Sequence, residues 1–234
     1  MYRYKIFEKL KRSVLTEFPK LSYSRSGEDL LLDEIFEFKA TGFYVDIGAF
    51  HPVKYSNTFK FYLKGWRGIN IEPNKDLIKK FETVRGEDTN LNIGISNTPG
   101  IKQYYKNNAD PSMNTLSIAF AENAEQEFGF SISEVIDVEV KTLSDVLAAF
   151  ALDKRIDFFS VDVEGYDLEV LKSNDWNHYR PRIVLVELNC SINDITSSDI
   201  YSFLTDNHYL LLSYTFLNYN VGNAFFVDCK HDES

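Results

Sequence analysis

The chain predicts an α/β fold, a mostly parallel sheet with helices on both faces that closes in an antiparallel carboxyl-terminal hairpin. Seven short runs rich in apolar, β-branched and aromatic residues occur at 43–47, 68–71, 91–95, 156–161, 183–186, 209–214 and 224–227. Most are too short for helices and too continuously apolar for strands with one wet face, which implies a sheet covered on both sides. Helix-like stretches alternate with them at 55–63, 75–83, 115–128, 143–150, 167–172 and 197–207, and that rhythm is the signature of crossover helices joining parallel strands. After the last helix the rhythm changes. Only residues 216–222 separate the final two runs, too short a link for a crossover helix, so those strands pair as a hairpin.

Taken in order, the elements begin with a basic amphipathic stretch. Residues 1–20 carry six basic and two acidic side chains, with Ile6, Leu10, Val14 and Phe18 recurring at i+4. The expectation is a helical extension over residues 1–40, packed on a single domain at 41–234, because no repeat or Gly/Ser/Pro-rich linker interrupts the chain. The aromatic residues Phe59, Tyr62 and Trp66 stand at helical or near-helical spacing and are expected in the core. Ser197 or Ser198 is suited to cap the helix at 197–207.

Composition narrows the function classes. A chain of 234 residues with 44% apolar and 15% aromatic side chains can bury a sizeable core. Its formal charge of -10 argues against a nucleic-acid partner, whose phosphates attract Lys and Arg. Cys190 and Cys229 form no C-x-x-C pair and cannot staple a secreted framework, so a reducing, cytoplasmic setting is expected. No apolar stretch reaches the roughly 20 residues of a membrane span.

Ligands of open parallel sheets bind beyond the carboxyl ends of the strands, which directs attention to the residues that end each run. The first run ends Val45-Asp46-Ile47-Gly48, where Gly48 permits a tight turn and close approach of a ligand. A single glycine is not the G-x-G-x-x-G that brings amides against a pyrophosphate. Glu72 ends the second run, 24 residues beyond Gly48, placed to accept hydrogen bonds from ribose hydroxyls. One glycine turn and one acid fit a nucleoside without a pyrophosphate, as in S-adenosylmethionine (SAM). Ser56 and Asn57, at the opening of the first crossover helix, suit the methionine carboxylate. Ile95 offers an apolar face to adenine.

The motifs Tyr44-Val45-Asp46-Ile47-Gly48-Ala49, His51-Pro52, Ser56-Asn57-Thr58, Gly65-Trp66-Arg67-Gly68-Ile69-Asn70-Ile71-Glu72-Pro73-Asn74 and Asp157-Phe158-Phe159-Ser160-Val161-Asp162-Val163-Glu164-Gly165-Tyr166 together resemble the FkbM family of SAM-dependent methyltransferases. The resemblance runs from about Tyr23 to Glu187. It implies a Rossmann-like (class I) methyltransferase fold with a seven-stranded sheet, SAM as cofactor, and O-methylation of hydroxyls on sugars, glycans or secondary metabolites. In Ser24-Arg25-Ser26-Gly27-Glu28-Asp29, Arg25 stands where the family commonly has Gln.

The expected cofactor residues are Asp46, Gly48, Ser56, Asn57, Glu72 and Ile95. His51 and Asp162 are the expected catalytic pair, with the imidazole as base and the carboxylate orienting it or the substrate. Glu164 reads as structural. No metal is required, although His51, Asp162 and Glu187 would be acceptable ligands. The polar segment 106–115 is placed where a substrate lid would lie. The expected partner is a sugar or sugar-nucleotide substrate, with self-association left open. The competing readings are an NAD-dependent sugar-nucleotide oxidoreductase or epimerase and a non-catalytic SAM-binding module.

Overall fold

A computed structural model describes residues 20–128 and 131–230. The expected amphipathic stretch therefore lies, but for Lys20, outside the described residues. The elements in order are α1 (Glu28–Ile35), β1 (Phe43–Ile47), α2 (Phe59–Lys64), β2 (Arg67–Ile71), α3 (Lys75–Val84), β3 (Thr89–Leu91), β4 (Gly94–Ile95) and β5 (Gly100–Lys106). They continue with α4 (Ile118–Phe128), β6 (Glu134–Lys141), α5 (Leu143–Phe150), β7 (Phe158–Val161), α6 (Asp167–Lys172), β8 (Ile183–Leu188), α7 (Asp199–Asp206), β9 (Tyr209–Asn218) and β10 (Val221–Asp228).

Seven strands form one sheet in the order β3-β2-β1-β7-β8-β10-β9. Among them β10 runs antiparallel to both of its neighbours, and the other pairings are parallel. This is the Rossmann-like class I methyltransferase arrangement expected from the sequence. Period-two alternation explains its two dry faces. Val45, Ile47, Phe159, Val161, Val184 and Val186 point into a core with Leu143, Leu147, Val170 and Leu171. Tyr44, Phe158, Ile183 and Leu185 point the other way, against Leu32, Phe36, Phe61 and Trp66. Each large apolar side chain so buried contributes about 1.5–3 kcal/mol, which outweighs the roughly 1 kcal/mol span of intrinsic strand propensity.

Three expectations are corrected. The run at 91–95 is not one strand: β3 ends at Leu91 on the main sheet, and β4 pairs with β6 in a separate three-stranded sheet ordered β4-β6-β5. That second sheet was not anticipated, because β5 and β6 expose one face and so lack a continuous apolar run. The hairpin link is only Tyr219 and Asn220, with both strands extending past the apolar residues that announced them. The first crossover helix begins at Phe59, and Ser56 precedes it in a turn, its hydroxyl accepting from the Phe59 amide at 3.1 Å. Ser198 does cap α7, accepting from the Tyr201 amide. No helix among the described residues is long and apolar enough to cross a membrane.

Beneath the β1 and β2 strands lies a polar knot. Arg85 is fully buried. Its Nε donates to Asp88 at 3.0 Å, one terminal nitrogen donates to Thr58 Oγ1 at 2.9 Å, and the other donates to the Tyr44 hydroxyl at 2.7 Å. Asp88 also accepts from Tyr44, from Asn70 and from the Gly68 amide. A buried ion pair is tolerable only when its remaining polar valences are filled, as they are here. Arg85→Ala should destabilise the protein by about 3–5 kcal/mol in urea denaturation, because it strands a buried carboxylate. A loss under about 1 kcal/mol would show that water replaces the guanidinium at little cost.

Candidate active site

Two adjoining clefts open at the carboxyl ends of β1, β2 and β7, with volumes of about 470 and 660 Å3. Gly48, Phe50, Ser112, Asp162 and Glu164 line both and form their common wall. Gly48 has a left-handed φ of 79° and lies against the backbone of β7, so that a Cβ built there would overlap the carbonyl oxygen of Asp162. The glycine is thus required by the packing of two strand ends, before any ligand is considered. Phe50, Tyr55 and Glu164 have left-handed φ values of 50°, 59° and 54° without being glycines, and all three line the second cleft. Such conformations are strained and persist where the surroundings over-determine them.

The first cleft holds Glu72, which is 3% exposed. Its carboxylate accepts from the amides of Phe50 at 3.1 Å and Asn74 at 2.7 Å, and from the Tyr104 hydroxyl at 3.3 Å. Burial pushes its pKa up to about 7 against these bonds. Ile95 lies on the wall with Pro73, Ile93 and Leu116, an apolar slot of the kind a purine fills. Asn114 is 7% exposed and lines the same cleft. Its Oδ1 accepts from the Asn107 amide at 2.8 Å. The Asn114 side chain also faces the Tyr104 hydroxyl, which ties it to the partner of Glu72.

The second cleft is lined by Asp46, Ser56 and Asn57. Asp46 accepts from Thr58 Oγ1 at 2.5 Å. Burial raises its pKa, and the nearby Arg85 charge opposes that rise. Asn57 donates to Ser160 Oγ at 3.1 Å, tying the loop after β1 to β7. Four carboxyl groups meet at the end of β7. Oxygens of Asp162, Glu164 and Glu187 lie within 4.8 Å of one another, and Asp167 at the start of α6 adds its field. Burial, reinforced by the charge of Asp46, pushes Asp162 up to about 6. Burial, with the neighbouring negative charges, drives Glu164 and Glu187 well above the usual carboxylate range.

The structure does not assemble the expected combination of His51, Asp162 and Glu187. His51 lines neither cleft. Its Nδ1 accepts from the amides of Val53 at 3.1 Å and Lys54 at 3.0 Å, which fixes the proton of the neutral ring on Nε2. Burial and the charges of Lys80 and Lys54 lower its pKa. Glu164, read from the sequence as structural, takes the place expected of His51 beside Asp162 and Glu187. Tyr104 and Arg85 escaped the sequence reading, and Asn114 entered it only as part of the segment 106–115. A faint signal existed for Tyr104 in the strand-like Tyr104-Tyr105 pair. The segment expected as a lid follows β5, and its Pro111, Ser112, Asn114 and Thr115 wall the first cleft.

The Methyltransferase FkbM domain matches residues 46–211, the span that carries the whole lining of the first cleft and most of that of the second. The chain belongs to the FkbM methyltransferase family. SAM is accordingly its cofactor, and the dinucleotide alternative falls away. The methyltransferase sdnD of Sordaria araneosa is 45% identical over 74 residues, a segment covering 28% of this chain and 28% of that protein. Among solved structures, a TehB-like SAM-dependent methyltransferase from Corynebacterium glutamicum aligns over 97% of this chain and 96% of its own, with a TM-score of 0.44 and 10% identity. The glycopeptide N-methyltransferase MtfA, complexed with sinefungin, aligns over 94% of this chain and 96% of its own, with a TM-score of 0.43 and 12% identity. At that distance neither bears on the substrate of this family member.

The residues present suit the cofactor. Glu72 offers carboxylate oxygens to ribose hydroxyls, and the apolar slot admits adenine. A pH dependence follows. Between about pH 4.5 and about pH 7 the folded protein keeps Glu72 protonated while the unfolded chain does not, so unfolding releases protons and stability falls as pH rises. Glu72→Gln should flatten that slope in melts across the window and weaken SAM binding. An unchanged slope would show that Glu72 is ionised in the free protein.

Proposed function

We propose that this FkbM-family protein is an O-methyltransferase whose acceptor is a sugar hydroxyl, borne on a nucleotide-linked sugar or glycan precursor of a surface polysaccharide. The observation that carries this reading is the common wall of the two clefts, where the half-buried Asp162 and Glu164 stand in front of the buried Glu187. A hydroxyl is a poor nucleophile until its proton is drawn away, and a general base works best with a pKa near the operating pH. Asp162, pushed up to about 6, approaches that condition.

The cofactor supplies a methyl group activated on a sulfonium. Asp162 accepts the hydrogen bond of the acceptor hydroxyl and takes its proton as the oxygen is methylated. Burial and the charge of Asp46 keep Asp162 basic, and Asp162 in turn raises Glu164 and Glu187. Asn57, Ser160, Asn223 and Tyr55 line the second cleft, a set of hydrogen-bonding groups with one aromatic ring, which suits a polyhydroxylated ring lying beside the amino-acid half of the cofactor more than an apolar acceptor. His51 is assigned to the loop. Its Nε2 already carries the proton of the neutral ring and has no lone pair to act as base, and using Nδ1 as base would break both bonds.

Transfer of a labelled methyl group from SAM to a panel of nucleotide sugars tests the substrate class. Asp162→Asn should lower turnover by roughly 100- to 10,000-fold with S-adenosylhomocysteine affinity little changed. His51→Ala should lower it by less than about 10-fold, and EDTA should leave the wild type active. A loss in His51→Ala as deep as in Asp162→Asn would return the imidazole to the chemistry, and inactivation by EDTA would turn the carboxylate cluster into a cation site.

A further inference from the structure

The Ser24-Arg25-Ser26-Gly27-Glu28-Asp29 segment divides its labour in an uneven way. Asp29 is fully buried and accepts from the Ser22 hydroxyl at 2.6 Å, the Tyr23 amide at 2.8 Å and the Ser24 hydroxyl at 3.0 Å. Glu28 is fully buried as well, accepting from the Ser26 amide at 2.8 Å, Thr215 Oγ1 at 2.9 Å and Asn223 Nδ2 at 3.0 Å. Ser26 Oγ donates to the carbonyl of Phe216 at 3.1 Å. Gly27 takes a left-handed φ of 90° to begin α1. These residues fold the segment and fasten it to the β9–β10 hairpin. Arg25 has no part in that. Its exposed side chain lines the second cleft, and no hydrogen bond or ion pair joins it to another described residue.

The charges around that cleft set what it can accept. Asp46, Asp162 and Glu164 line it beside Arg25, which is the only cationic side chain among its lining residues. The amino-acid half of SAM brings a sulfonium, an ammonium and one carboxylate. Carboxylates of the protein suit the two cations, while the carboxylate of the ligand would be repelled unless a guanidinium met it. With adenosine in the first cleft beside Glu72, the common wall at Gly48 and Asp162 receives the sulfur, and the amino-acid half extends into the second cleft. The charge of Arg25 also reaches Asp162 and Glu164, whose acidity it strengthens.

We propose that Arg25 is a cofactor-binding residue that clamps the methionine carboxylate of SAM in the second cleft. This rests on the methyltransferase reading, and the binding experiment separates the two. Isothermal titration of S-adenosylhomocysteine and of 5′-methylthioadenosine, which lacks the amino-acid carboxylate, is run on the wild type and on Arg25→Ala, Arg25→Gln and Arg25→Lys. Arg25→Ala should weaken S-adenosylhomocysteine about 10- to 100-fold while methylthioadenosine stays within about 2-fold, since a hydrogen bond to a charged group is worth roughly 1.5–3 kcal/mol. Arg25→Lys should fall between, because it keeps the charge and loses the fork. Arg25→Gln, which keeps a long polar side chain without the charge, should weaken S-adenosylhomocysteine as Arg25→Ala does and guards against a collapse of the loop in the alanine variant.

Equal weakening of both ligands would mark a purely structural role and overturn the proposal. Unchanged S-adenosylhomocysteine affinity with a raised KM for an anionic acceptor would overturn it too, moving the guanidinium to the acceptor. A wild type that binds neither nucleoside would remove the methyltransferase reading and this proposal with it.

Discussion

The central strand β1 is bonded on one side to β2 and on the other to β7, and every feature of the site depends on that double pairing. Strand order reverses direction at this point, so the two loops leaving β1 and β7 diverge and leave a crevice between them. The backbone closes the floor of the crevice. The amides of Gly48 and Ala49 donate to the carbonyl of Ile71, and the Asp162 amide donates to the carbonyl of Ile47. Three strand ends are thereby held in register, bringing Gly48, Glu72 and Asp162 together although they are far apart in the chain.

The electrostatics of the crevice follow from placing so many acids on this floor. Asp46, Glu72, Asp162, Glu164, Asp167 and Glu187 all have raised pKa values, with desolvation the largest cause in each. Such a cleft is poorly balanced on its own and better balanced with a cationic ligand, because each carboxylate ionises more readily beside a positive charge. The buried Arg85 offsets part of the imbalance from below, through Thr58 and toward Asp46. Arg25 offsets another part from above. The acidity of the protein as a whole and that of its crevice thus have one electrostatic sense, favourable to a sulfonium.

Much of this was legible in the sequence because it is local. The continuous apolar runs reported buried strands, and the residue ending each run reported the crevice, so Gly48, Glu72 and Asp162 were found without a structure. The surface-exposed second sheet was harder to read. Residues 100–106 and 134–141 alternate without a sustained apolar side, since only one face meets the core, and Tyr104 went unrecognised with them. The placement of His51 was not legible either: the amides of Val53 and Lys54 take up its Nδ1, and the ring lines neither cleft.

The layers of the main sheet, the ends of β1, β2 and β7 and the acid-and-glycine pairing were legible in the sequence, because they follow from periodicity and from side chains within a few residues of one another. Only the tertiary structure decided which distant groups share a cleft. Tyr104 reaches Glu72 from another sheet, Asn114 lines the same cleft from the loop after that strand, Glu164 rather than His51 joins the carboxylate cluster, and Arg25 faces the second cleft while Glu28 and Asp29 anchor its loop. Hydrogen bonds between residues remote in the chain depend on the register and crossing of whole elements, and no local pattern encodes them.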